Sequence, residues 1–125
     1  MMTIKFTINR GIHEIKPELF RKVVDEITVS ETDKGGIICT DHNEKGKKIT
    51  KGEYNEIICA VKEINFLKTL ESCPMGMDGW TLTLRVFNGC EASVELWCPS
   101  EDNENEDVRK IMMLLERIQE LKEKV

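Results

Sequence analysis

Between residues 80 and 98 the chain carries two runs of strict alternation on either side of Asn88-Gly89, and no other stretch restricts the fold as much. Trp80, Leu82, Leu84 and Val86 share one face of the first run, and Cys90, Ala92, Val94 and Leu96 share one face of the second. Period-two patterning around an Asn-Gly turn predicts a β-hairpin with one buried face and one wet face. Parity decides the loop. A two-residue loop pairs Phe87 with Cys90, which sets Glu91 beside Val86 and Glu95 beside Leu82 on the buried face. A three-residue loop, Phe87-Asn88-Gly89, pairs Val86 with Cys90, Leu84 with Ala92 and Leu82 with Val94, and leaves Gly89 free for a left-handed bulge position. The three-residue loop is therefore expected. Its outward row is Thr81, Thr83 and Arg85 against Glu91, Ser93, Glu95 and Trp97.

A sheet with one wet face needs helices on the other, and the flanking sequence supplies them. Thr50-Lys51-Gly52-Glu53 has the form of a capping box, followed by an apolar stripe of Tyr54, Ile57, Ile58, Val61 and Ile64. A second helix is announced by Asn103 with Glu106 three residues on; its stripe is Val108, Ile111, Met112, Leu115, Ile118 and Leu121, with acids in its first turn and Lys122 and Lys124 in its last, as the helix dipole favours. Ile4, Phe6 and Ile8 alternate with polar residues and predict a strand over 3–9. The segment from Pro17 reads either as helix or as strand; the preferred reading is a short helix over 17–24, a strand over 26–31, a turn at Asp33-Lys34-Gly35-Gly36 and a strand over 37–41. The expected architecture is an α+β two-layer sandwich: an antiparallel β-sheet with two or three helices on one face, formed by residues 1–125 as a single domain.

Five cysteines, at 39, 59, 73, 90 and 98, form an odd set with no C-x-x-C pair, so free thiols and a reducing, cytoplasmic compartment are expected. The amino terminus lacks the basic flank and apolar run of a signal peptide, and no apolar stretch approaches the roughly 18 residues of a membrane span. Net charge is −5, unevenly spread: residues 1–62 hold 11 Lys and Arg against 10 Asp and Glu, and residues 63–125 hold 7 against 13. That balance disfavours nucleic acid and anionic membrane as partners, because both require a basic footprint.

Catalytic and cofactor motifs are not found. Cys39 and His42 form a C-x-x-H pair, yet a structural zinc site needs four ligands and no second pair has suitable spacing, so no metal is expected. Cys39 reads as a small core residue and His42 as a loop residue, while Cys59 and Cys90 fall on faces expected to be buried. Cys73 and Cys98 each precede proline and are expected to be accessible. Only His13 and His42 offer the usual base for a nucleophile, and no phosphate-binding glycine loop occurs, so neither an enzyme nor a cofactor is expected.

Two features point instead to a protein partner. The first is a run of seven acids, Glu91, Glu95, Glu101, Asp102, Glu104, Glu106 and Asp107, with no Lys or Arg between 91 and 107. Helix capping accounts for Glu104, Glu106 and Asp107; the others are free to steer a basic protein onto the surface. The second is the loop Cys73 to Trp80, where Met75 and Met77, with Trp80, offer an adaptable apolar contact or else tuck beneath the sheet. The expected contact residues are Glu91, Glu95, Trp97, Glu101, Asp102, Glu104, Met75 and Met77.

The run Asp78 to Leu84, then Val94-Glu95-Leu96-Trp97-Cys98-Pro99-Ser100 and a closing charged helix, resembles small bacterial immunity proteins of contact-dependent growth-inhibition toxin systems in general layout over residues 50–121. The resemblance implies a cytosolic inhibitor that binds a toxin domain, of nuclease type, and covers its active site, with the acidic run standing in for nucleic-acid phosphate. The rival expectation is a small-ligand-binding or cysteine-dependent enzymatic domain of the same fold class. Oligomeric state is not legible in the residues.

Overall fold

The computed structural model describes residues 2–9, 26–40, 43–70, 80–100 and 102–124. Six strands form one antiparallel sheet: β1 (Thr3–Asn9), β2 (Glu26–Thr32), β3 (Gly35–Thr40), β4 (Asn43–Thr50), β5 (Thr81–Phe87) and β6 (Glu91–Trp97), in the order β4-β3-β2-β1-β5-β6. The amino-terminal strand is thus inside the sheet, between β2 and β5. Its three apolar residues set the register on both sides: Ile4 lies opposite Val29 and Val86, Phe6 opposite Ile27 and Leu84, and Ile8 opposite Leu82. Carried outward, the same row reaches Ile38 and, through β5, Val94 and Leu96. All of these side chains are buried, and they share one face because a strand alternates with period two.

Among the described residues three helices cover that face: α1 (Lys51–Lys62), α2 (Phe66–Thr69) and α3 (Glu106–Glu123). The Thr50 capping box is present, with Thr50 Oγ1 accepting from the Glu53 amide at 3.1 Å and Glu53 Oε1 accepting from the Thr50 amide at 2.9 Å. Thr50 is also the last residue of β4, so the cap turns the edge strand directly into α1. Tyr54, Ile57, Val61 and Ile64 are buried as the stripe requires, and the Tyr54 hydroxyl donates to the Met2 carbonyl at 2.7 Å. On α3, Val108, Ile111, Leu115, Ile118 and Leu121 are buried, and Leu114, outside the expected stripe, joins them. α1 and α3 run antiparallel: Arg117 meets Glu56 at 2.6 Å, Lys124 meets Glu53 at 3.5 Å, and Lys110 Nζ donates to the Glu63 carbonyl at 3.3 Å. Lys110, Arg117 and Lys124 are seven residues apart, two helical turns, so one ridge of bases faces α1, where Arg117 and Lys124 meet its acids and Lys110 meets the carbonyl that ends it.

The structure corrects several expectations. The hairpin has a three-residue loop, but it is Asn88-Gly89-Cys90, with Phe87 opposite Glu91, Val86 opposite Ala92, Leu84 opposite Val94 and Leu82 opposite Leu96. Parity was preserved and register moved by two, because alternation distinguishes faces and cannot distinguish pairings two residues apart. Cys90 is consequently an exposed loop residue, and Cys59 is exposed on α1; neither is buried. Strand β3 starts at Gly35 and the turn reduces to Asp33-Lys34. α3 is capped by Asn105, whose Oδ1 accepts from the Asp107 and Val108 amides at 2.9 and 3.3 Å, and not by Asn103. β4 was not expected at all, since Lys45-Gly46-Lys47-Lys48 has few strand-forming side chains. The expected helix over 17–24 lies outside the described residues.

Candidate functional site

Strand β6 closes one end of the sheet, and its alternation sorts the candidate contact residues by face. Val94 and Leu96 point into the core, and Glu91, Ser93, Glu95 and Trp97 occupy the opposite face. Glu91, Ala92, Ser93 and Glu95 are all exposed, while Trp97 is half-buried opposite Thr81. Ala92 is exposed although it belongs to the inward face, so the helical layer leaves the start of β6 uncovered.

The acids are less alike than their sequence suggests. Glu91 has a partner in Arg85 of the neighbouring strand, 3.7 Å away. Glu106 and Asp107 lie 3.8 and 4.0 Å from Lys110. Asp107 is buried, and its Oδ1 accepts from the Asn65 amide at 2.8 Å. It therefore locks α2 against the first turn of α3, together with Asn105, whose amide group donates to the Lys68 carbonyl at 2.7 Å. Arg109 holds the incoming loop through the carbonyls of Asn103 and Glu104, at 2.7 and 3.1 Å. The bases missing from 91–107 are thus supplied by Arg85 and Lys110 at its borders. Among the described residues, Glu95, Asp102 and Glu104 remain exposed without an ion pair. Glu101 lies outside the described residues.

The geometry also spreads the acids. The six steps from Glu91 to Trp97 span roughly 20 Å at the usual strand rise, and Asp102 and Glu104 follow the strand in the chain. At that end Cys98 adopts φ 43°, a left-handed conformation that costs a non-glycine residue on the order of 1 kcal/mol, and its amide donates to the Trp80 carbonyl at 2.8 Å. Cys98 is half-buried against the core, so it is less accessible than its place before Pro99 suggests. Trp80 is itself buried and belongs to the core, not to a contact patch. Met75, Met77 and Cys73 lie outside the described residues, as does His42.

Other features offer less chemistry. An open groove of about 340 Å³ between α1 and α3 is lined by Ile57, Ala60, Met113 and Leu114, with Arg117 and Lys110 at its ends already engaged by Glu56 and the Glu63 carbonyl. The carboxylates around the Arg117 guanidinium, Glu56 first, raise its pKa above the ordinary arginine value. No group of three or more His, Cys, Asp and Glu among the described residues is placed to hold a metal. Among the described residues no helix is long and apolar enough to cross a membrane.

Two features escaped the sequence reading. The basic ridge of α3 is visible as bases at 110, 117 and 124, a spacing that signals a facing acidic helix. The exposed pair Leu67 and Leu70, 77% and 64% exposed, carries no signal beyond spacing on a short helix. Comparison with known proteins adds nothing to this geometry: the chain matches no protein-family model and no curated protein.

Proposed function

We propose that this chain is a cytosolic inhibitor of the immunity type, which binds a basic toxin domain through the outward face of β6 and the loop that follows it. The observation that carries the reading is the row Glu91, Glu95 and Trp97 on an exposed sheet margin, extended by the unpaired Asp102 and Glu104. An exposed acidic row steers a basic partner and raises the association rate, and an aromatic at its end supplies an anchor. A nuclease domain is the fitting target class, since carboxylates spaced along a strand can occupy the basic surface that otherwise holds phosphate. The role is stoichiometric binding and not catalysis, and the free thiols suit a reducing compartment.

The test begins with capture of the partner from the native host and its identification. Binding kinetics are then measured at two salt concentrations for the wild type and for a variant with Glu91→Gln, Glu95→Gln, Glu101→Gln and Asp102→Asn. The variant is expected to fold and to associate more slowly, and raised salt is expected to slow the wild type similarly, because steering is screened within about 8 Å at physiological ionic strength. Unchanged kinetics in a folded variant would remove the acidic surface from the interface and direct attention to Met75 and Met77.

A further inference from the structure

We infer that the free side of β6 accepts an extended basic segment of the partner as a seventh strand. This rests on the reading of an acidic binding surface and specifies how that surface is used. The Cys98 amide donates to the Trp80 carbonyl at 2.8 Å and the Asn88 amide to the Cys90 carbonyl at 2.9 Å, which places the even-numbered residues of β6 in hydrogen-bonded pairs with β5. In an antiparallel pair the intervening residues turn their backbone groups the other way. Glu91, Ser93, Glu95 and Trp97 therefore present their amides and carbonyls to the outside, along a margin where four of the first five residues are exposed. Backbone groups in such a row template an added strand.

The side chains select its chemistry. Glu91 and Glu95 lie four residues apart on one face, so the matching strand carries Lys or Arg four residues apart on that face, with small or apolar residues between them facing Ala92, Val94 and Leu96. A second copy does not fit. Antiparallel pairing of β6 with itself about Ser93 sets Glu91 against Glu95, and β4 places Lys47 and Lys48 on opposite faces and breaks its ladder with a bulge.

The probe is the capped peptide Thr-Ala-Lys-Val-Thr-Val-Lys-Ala-Thr, titrated into the full chain while amide exchange is followed by NMR. Protection is expected at Glu91, Ser93, Glu95 and Trp97, with Ala92 and Val94 unchanged because they are already bonded to β5. Glu91→Gln with Glu95→Gln should weaken binding about fivefold, as expected for two cross-strand charge pairs. Ser93→Pro removes an outward donor without touching the β5 ladder and should weaken binding at least about tenfold, since edge positions tolerate proline. A peptide N-methylated at the amides facing β6 makes the same test should the proline variant unfold. Salt-sensitive binding without protection would overturn the added strand and leave the acidic surface standing. Protection indifferent to the Gln variants would overturn the acidic surface and the basic character of the added strand, and an absence of binding at millimolar peptide would overturn the strand.

Discussion

The two margins of the sheet solve the same problem in opposite ways. β4 ends the sheet with Lys45, Lys47 and Lys48, a register shift opposite Ile38 and Thr40, and Gly46 at φ 69°. It also runs straight into the α1 cap. Lysines, irregular pairing and cover are the usual protections of an edge against another strand. β6 pairs with β5 without interruption over seven residues and turns two acids and a tryptophan outward on one face. Among the described residues its protection is electrostatic, and it acts against other copies of itself more than against a basic chain. One margin is closed by shape, the other is filtered by charge. The difference shows how a single sheet separates a structural edge from an available one.

The largest expected effect tests the layer that both margins share. Leu84 is 1% exposed on the buried face of β5, so Leu84→Asp should destabilise by more than about 3 kcal/mol, whereas Thr83→Asp on the outward face should be far milder. Denaturant titrations of the two variants decide it, and equal effects would mean that the helices do not cover the face assigned to them.

A smaller effect separates the margins. A Cβ at Gly46 would stand 2.8 Å from Ile37 Cγ1 and 2.9 Å from Cys39 Sγ, whereas one at Gly89, in the β5–β6 loop at φ 77°, meets nothing within 4 Å. Gly46→Ala should therefore cost about 2–3 kcal/mol, combining backbone strain with a clash, and Gly89→Ala only the strain, about 1 kcal/mol. Equal losses in thermal melts would remove the claim that β4 is the margin closed by shape.

The smallest effect concerns the junction of β4 and α1. Thr50→Ala should cost about 1 kcal/mol through the lost cap. Glu53, which accepts from the Thr50 amide, titrates below the ordinary carboxylate range for that reason first. A depressed carboxyl contributes its stability fully above its unfolded value and loses it as the pH falls through the folded one. The stability difference between wild type and Glu53→Gln should accordingly hold near neutral pH and shrink below about pH 4.5, followed by melts across an acid series.

Local pattern carried much of this structure. The α1 cap at Thr50, the stripes of α1 and α3, the strand from Thr3 and the parity of the β5–β6 hairpin were legible because each depends on neighbours within a few residues, where periodicity and hydrogen-bonding side chains act directly. The candidate site was legible as an inventory of acids and not as a surface. Only packing revealed that Asp107 is a buried clamp on Asn65 and that Glu91 is answered by Arg85. Those facts depend on partners tens of residues away in the chain or on adjacent strands, which spacing does not encode.

By itself the sequence determined which face of each recognised strand and helix turns inward, since burial of apolar side chains at a fixed period leaves no other stable choice. Only the tertiary structure decided the strand order, the two-residue shift in the hairpin, the recruitment of the lysine-rich β4 and hence which margin of the sheet stays open. A strand's place in a sheet is set by backbone hydrogen bonds that every sequence can make, so it is the packing of helices against the finished layer that selects among them.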